Sequence, residues 1–163
     1  MISKIDISDI VLRHLRTLKN ERTGKIDKLD VALFFGAPTV VVAIFMILDV
    51  RLSENSINIF ITSFSIFIGF LINILVFMHS MAEKFSSSAK RAWLFEATFC
   101  NISYAILVSI ICIIALIVMS LISTSSVSYA ALSYFVVYIL ANFLLTLVMI
   151  LKRIHVIFVL PNS

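Results

Sequence analysis

Charged residues are scarce in this 163-residue chain. Asp, Glu, Lys and Arg make up 13% of it, against about 25% in soluble globular proteins. They are absent from Asn55 to Ala82 and again from Ala97 to Leu151, and each gap exceeds the roughly 20 residues with which a helix crosses a bilayer. With 61% hydrophobic residues, the chain carries more apolar surface than a soluble fold of this size can bury. It is predicted to be an integral membrane protein, which excludes an ordinary soluble enzyme.

Glycine, proline and cysteine are also few. The 3 Gly and 2 Pro argue against a flexible or low-complexity chain. The 2 cysteines, Cys100 and Cys112, fall in one predicted helix about 120° apart, so they cannot form a disulfide with each other and fit no metal spacing. The sequence has no glycine-rich phosphate loop, no HExxH and no paired carboxylates. We expect no catalytic, cofactor-binding or metal site, and no enzymatic activity.

Four apolar segments account for most of the chain: Val31–Leu48, Ile57–His79, Phe95–Ile122 and Val127–Leu151. Because lipid offers no partner to free backbone N–H and C=O groups, these segments are predicted to be helices. The predicted fold is an all-α integral membrane protein with four transmembrane helices, preceded by an amphipathic cytoplasmic or interfacial helix. Its parts are an amphipathic segment at 1–30, a transmembrane domain at 31–151 and a short cytoplasmic tail at 152–163.

The basic residues indicate the orientation. Twelve of the 13 Lys and Arg residues lie in 1–30, in the predicted loop Ser80–Leu94 or at Lys152 and Arg153. The positive-inside rule therefore places both termini in the cytoplasm. The chain is predicted to cross a membrane several times, with its basic side toward the cytoplasm.

The segment before the first span has the spacing of a surface helix. Ile7, Val11, Leu15 and Leu18 form one apolar stripe, and basic residues flank or oppose it. The stripe can lie on membrane lipid or on a soluble protein partner, and the two are compatible. Seven basic against five acidic residues in 1–30 leave too little net charge to predict direct nucleic-acid binding. We predict that a cytoplasmic protein binds a basic surface made of Arg13, Arg16, Lys19, Arg22, Lys84, Lys90 and Arg91.

Small and polar residues recur at helical spacing on one face of each span. In the second span this polar stripe consists of Asn58, Thr62, Ser65, Gly69 and Asn73. Such stripes are expected to pack helices together inside the bundle. An alternative is that the second-span stripe lines a pore in a homo-oligomer. The bulky ridge opposite it, Phe60, Phe64, Phe67 and Leu71, is expected to face lipid or another protomer.

A second polar pattern concerns depth in the membrane. Pro38, Asn73, Asn101 and Asn142 all lie roughly 9–14 Å from the predicted cytoplasmic boundary at 1.5 Å of rise per residue. Pro38 also leaves the carbonyl of Phe34 without its helical donor. The pattern predicts a polar layer in the inner half of the bundle, acting either as ordinary interhelical hydrogen bonding or as a switchable element.

The segment HLRTLKNERTGKIDKLD (14–30), followed by the proline-interrupted span ALFFGAPTVVV (32–42), resembles the KwaA family, the membrane components of the Kiwa anti-phage defence system. The resemblance covers the overall plan of most of the chain. It implies an oligomeric inner-membrane protein that senses phage attack and works with a DNA-binding cytoplasmic partner, KwaB. It transfers no functional residue.

Two functions follow from these patterns, with a third less favoured. The first is a non-enzymatic sensor and scaffold that recruits a soluble effector to its cytoplasmic face. The alternative is an oligomeric pore-forming effector or holin-like toxin. A small transporter is less favoured, because only Pro38 interrupts a predicted span and no inverted repeat is visible.

Overall fold

Helices account for nearly all of the chain that the structure describes. The computed structural model describes residues 7–17, 28–85 and 89–159, and this part of the chain contains no strand. The helices are α1 (Ile7–Arg16), α2 (Lys28–Ile47), α3 (Glu54–Phe85), α4 (Ala89–Ser120) and α5 (Val127–Val159).

Three of these helices are long and apolar enough to cross a membrane, over Glu54–Met81, Arg91–Ser120 and Val127–Ile157. The apolar part of α2, Val31–Ile47, is shorter. At 1.5 Å per residue it spans roughly 25 Å, a little less than the ~30 Å hydrocarbon core of a bilayer. The all-helical architecture and the membrane-like character are thus confirmed.

The helices extend past the ends of the apolar segments. The predicted loop Ser80–Leu94 is helical up to Phe85 and again from Ala89, and α5 continues through the predicted tail as far as Val159. Lys, Glu, Arg and Ala are good helix formers, so these polar ends keep the helical backbone. The apolar segments therefore predict where the helices lie but not where they end.

The helices lie side by side in the order α3, α4, α5, α2, and α1 packs on α4. Small side chains on α4, among them Ala105, Cys112 and Ala115, are buried, which allows its neighbours to approach closely. On α5 the ring of Phe143 lies 5.1 Å from that of Phe64 and 5.5 Å from that of Phe67. Aromatic packing therefore also joins α3 to α5.

The two faces of α3 differ from what was expected. Of the bulky ridge, Phe64 and Leu71 are buried in the core, Phe60 is half-buried and Phe67 is exposed. The polar stripe of Asn58, Thr62, Ser65, Gly69 and Asn73 is exposed along its whole length. The prediction that this stripe packs inside the chain's own bundle is therefore wrong for α3. The physical reason is size, because large rings fill the gap toward Phe143, whereas the Thr62 and Ser65 hydroxyls already bond to carbonyls of their own helix.

The loop between α2 and α3 is fixed to α5 by two hydrogen bonds. The backbone N–H of Leu52 donates to Ser133 Oγ at 2.9 Å, and the hydroxyl of Tyr129 donates to the Leu52 carbonyl at 2.6 Å. These three residues are called the Leu52 clamp, and the end of the bundle that holds them the far end. All three are buried.

Candidate functional site

At the other end of the bundle, called the α1 end, helix α1 inserts a histidine between the long helices. The His14 side chain is 0% exposed. Its Nδ1 lies 2.9 Å from Asn101 Oδ1. Its ring stacks on Tyr104 with centroids 3.8 Å apart and planes 2° from parallel. Phe34 of α2 lies on another side, 5.1 Å between ring centroids. The surface helix is therefore attached to the bundle by a buried polar side chain.

Further hydrogen bonds connect this histidine to α4 and α5. The Thr17 hydroxyl lies 2.7 Å from the His14 carbonyl and 2.9 Å from Asn101 Oδ1. The Tyr104 hydroxyl donates to Asn142 Oδ1 on α5 at 3.0 Å. We call His14, Thr17, Asn101, Tyr104 and Asn142 the His14 cluster. Through it α1 is coupled to two long helices.

Arg153 of α5 makes a second connection to α1. Its guanidinium donates to the backbone carbonyl of Thr17 at 2.6 Å, just where α1 ends and its carbonyls lack helical donors. The same guanidinium lies 5.6 Å from the centre of the Trp93 ring on α4. A positive charge is favourable both at a helix C-terminus and over an aromatic face. Arg153 thus holds the end of α1 against α4 and α5.

Two buried polar atoms of the cluster have no hydrogen-bond partner: His14 Nε2 and Asn101 Nδ2. A buried group left in this way costs about 1–3 kcal/mol. The pKa of His14 is lowered from 6.5 to about 4, mainly because the ring is buried; the bond with Asn101 opposes the shift and the charge of Arg153 adds to it. His14 is therefore neutral when α1 is docked at neutral pH.

A cavity of about 280 Å³ opens beside the cluster, between α1 and the beginning of α4. It is lined by Arg13, Arg16, Thr17, Trp93, Glu96, Ala97 and Cys100. The Arg13 guanidinium lies 2.9 Å from Asp9 and 3.6 Å from Glu96. Arg16 is exposed. We call this the α1–α4 cavity, and it combines charged, aromatic and small apolar groups.

Two of the seven residues predicted for the basic surface are exposed on α1. Arg13 and Arg16 are exposed, whereas Arg91 on α4 is buried. Lys84 and Lys90 belong to the ends of α3 and α4 at the same end of the bundle. Lys19 and Arg22 lie outside the described residues.

The predicted polar layer is assembled in part. Asn101 and Asn142 are both buried and are joined through Tyr104 and His14. Pro38 is buried in α2, and Asn73 is exposed on α3. The structure therefore brings together two of the four residues and adds two aromatic rings between them.

The sequence interpretation missed His14, Thr17 and Tyr104. One signal was present: His14 follows Ile7 by seven residues, so it lies on the apolar stripe of α1. A polar side chain on an apolar face needs a buried partner. That partner, Asn101, is 87 residues away, so only the fold could identify it.

Comparison with known proteins finds no match to this chain among family models, curated proteins or solved structures. The resemblance to the KwaA family therefore remains a prediction.

Proposed function

We propose that this protein is a non-enzymatic membrane subunit that recruits a soluble cytoplasmic effector through the surface of α1. The observation that carries the proposal is the docking of His14. It buries one side of α1 among α2 and α4 while Arg13 and Arg16 remain exposed on the helix. A shift of α4 or α5 would be transmitted to that surface through the His14 cluster. This is the connection that a sensor and scaffold needs.

The proposed topology has four spans with both termini in the cytoplasm of a bacterial cell, the α1 end being the inner one. What supports a fourth span is that α2 follows α1 and its chain reaches the Leu52 clamp at the far end. In the same topology the exposed Ile7, Leu12 and Leu15 of α1 would rest on the inner membrane surface. The positive-inside count supports this orientation.

The effector and the setting follow from the resemblance. We take the protein to be the inner-membrane part of an anti-phage defence complex, and its partner to be a soluble protein like KwaB. Nucleic acid would then be bound by the partner and not by this chain. A homo-oligomer is part of the same proposal.

Site-specific photo-crosslinking in cells tests the recruitment. A crosslinking amino acid replaces Arg13, and in a matched strain it replaces Arg51, an exposed arginine at the far end. With the neighbouring genes expressed, we expect the Arg13 position to capture a soluble protein that the Arg51 position does not capture. The captured protein, once purified, should bind the chain in nanodiscs and lose that binding in Arg13→Glu. Capture of lipid alone at the Arg13 position would contradict the proposal.

The alternative, a pore-forming effector, is favoured by one observation. The polar stripe of α3 is exposed, and amide side chains are costly against lipid unless water or another helix covers them. Several copies could turn this face toward a shared channel. The pore would depolarise cells when the chain is expressed alone, and Asn58→Leu/Asn73→Leu would abolish this whereas Ile66→Leu would not. An unchanged membrane potential under strong expression would exclude it.

A further inference from the structure

The α1–α4 cavity continues into an apolar surface. Its walls include Trp93, Glu96 and Cys100 of α4. Leu107, Ile111 and Ile114 follow Cys100 on the same side of α4 because they lie seven, eleven and fourteen residues further along the helix. Ile111 and Ile114 are exposed, and Leu107 is half-buried. A polar recess thus leads directly into an apolar lane on a membrane-spanning helix.

The lane is long enough to accompany an acyl chain through one leaflet of a bilayer. From Cys100 to Ile114 the helix rises roughly 21 Å at 1.5 Å per residue. Half of a ~30 Å hydrocarbon core is about 15 Å. Trp93, at the mouth of the cavity, is the single tryptophan of the chain, and indole rings favour the boundary between headgroups and acyl chains. The cavity therefore lies at the level of the lipid headgroups.

The charge in the cavity favours an anion. Arg13 is held by Asp9 and Glu96, which balance its charge. Arg16 forms no ion pair with any residue that the structure describes, and it lines the cavity. A guanidinium offers parallel N–H donors that suit phosphate oxygens. An oxyanion would therefore suit the Arg16 guanidinium.

We propose that the α1–α4 cavity binds the headgroup phosphate of an anionic phospholipid, whose acyl chains lie along Leu107, Ile111 and Ile114. The phosphate pairs with Arg16, and the Trp93 ring covers the glycerol region. The lipid then fills the gap between α1 and α4 and supports the docked position of α1. This inference requires only that α4 lies in a membrane, and it is independent of any effector.

Trp93 fluorescence can report on the cavity directly, because the chain has no other tryptophan. The full chain in dodecylmaltoside micelles is titrated with phosphatidylglycerol, phosphatidylcholine or glycerol 3-phosphate. We expect a saturable change in Trp93 emission with phosphatidylglycerol and none with the other two. Saturation by glycerol 3-phosphate at equal concentration would assign the cavity to a soluble phosphate compound. A signal that follows protein concentration instead of lipid would assign it to a second copy of the chain. Either result overturns the proposal.

Charge variants of opposite sign locate the binding. Arg16→Gln should raise the half-saturating concentration about fivefold, because one basic group near lipid contributes about 1 kcal/mol. Lys152→Gln removes an exposed charge at the same end but outside the cavity, and should change it less than about twofold. Glu96→Gln should lower it, because it removes an anion from the cavity. Equal weakening by Arg16→Gln and Lys152→Gln, or weaker binding in Glu96→Gln, would contradict a specific site.

Discussion

The two ends of the bundle hold their connections in different ways. At the far end, the Leu52 clamp joins loop to helix through two short hydrogen bonds, and both side chains involved, Tyr129 and Ser133, have their partners. At the α1 end, His14 and Asn101 are buried just as deeply, yet His14 Nε2 and Asn101 Nδ2 have no hydrogen-bond partner. Equal burial therefore accompanies unequal satisfaction of polar groups.

This difference bears on which end can move. A satisfied buried hydrogen bond contributes about 1 kcal/mol, whereas an orphaned polar atom costs about 1–3 kcal/mol. Opening the clamp breaks both hydrogen bonds and relieves no unpaired side-chain atom. Undocking α1 loses bonds too, but it returns two orphaned atoms to water. We therefore expect α1 to undock more easily than the Leu52 clamp opens.

The largest effect is expected from breaking the clamp. Tyr129 is 2% exposed, so Tyr129→Ala removes a buried ring as well as the bond to Leu52. Loss of a buried aromatic side chain typically costs about 3–5 kcal/mol. We expect the midpoint of thermal unfolding in detergent to fall strongly. Tyr134→Phe is the matched control, because its hydroxyl makes only a 3.4 Å contact to Asp49, and it should leave the midpoint nearly unchanged.

The next largest effect is a pH dependence confined to the α1 end. The docked state holds the pKa of His14 at about 4, below its ordinary 6.5, so docking excludes a proton that the released helix binds. We expect docking to be fully stable above pH 6.5, to weaken as the pH falls below it, and to have lost about 3 kcal/mol once the pH is below 4. Trp93 lines the cavity beneath α1, and its emission should shift to the red over this range.

Variants identify the titrating group. His14→Phe keeps a ring against Tyr104 and should remove the pH dependence of the Trp93 emission. His79→Gln and His155→Gln replace exposed histidines and should retain it. Because Glu96 also lines the cavity, Glu96→Gln is included, and it too should retain the transition. A transition that survives in His14→Phe but disappears in Glu96→Gln would transfer the effect from the histidine to the carboxylate.

A smaller effect is expected from Asn101→Leu, which removes the side-chain partner of His14 and leaves its Nδ1 buried and unpaired. The cost should be about 1–3 kcal/mol, visible as faster hydrogen exchange of the amides in residues 7–17. The double variant His14→Phe/Asn101→Leu removes both polar partners, while the Thr17 hydroxyl keeps the His14 carbonyl. Slow exchange should therefore return. If exchange stays fast in the double variant, then the hydrogen bond between His14 and Asn101 holds α1, and the shape of the site does not.

Much of this fold could be predicted from the sequence, and the charge-free segments show why. A run without charges near Ser109 or Val136 can only be stable inside lipid or protein, so its helical state follows from backbone hydrogen bonding alone. The face that each helix buries could not be predicted in the same way. Both faces of α3 are compatible with a membrane, and its buried face was decided by the fit of Phe64 against Phe143.

The candidate site was predictable to a smaller extent. Asn101 and Asn142 could be predicted because polar groups are rare in spans, whereas nothing in the sequence distinguishes Tyr104 from the other aromatic residues. Thr17 lies at the end of a surface helix, and no sequence pattern indicates that it is buried. The contacts that join these residues connect positions far apart in the chain, such as Thr17 with Arg153, 136 residues away. Pattern within one helix contains no information about such pairs.

The smallest effect should come from removing the ion pairs of Arg13. A small effect is what the comparison of the two ends predicts. The Arg13 side chain is 53% exposed, and those of its partners Asp9 and Glu96 are 60% and 70% exposed, so water screens both attractions. Arg13→Gln should change the hydrogen exchange of α1 only slightly, and high salt should abolish the difference. The measurement uses nanodiscs of phosphatidylcholine, so that anionic lipid does not contribute.

If Arg13→Gln released α1 as fully as Asn101→Leu, exposed charges would be holding the helix. The buried, incompletely bonded His14 cluster would then have no part in making the α1 end different from the far end.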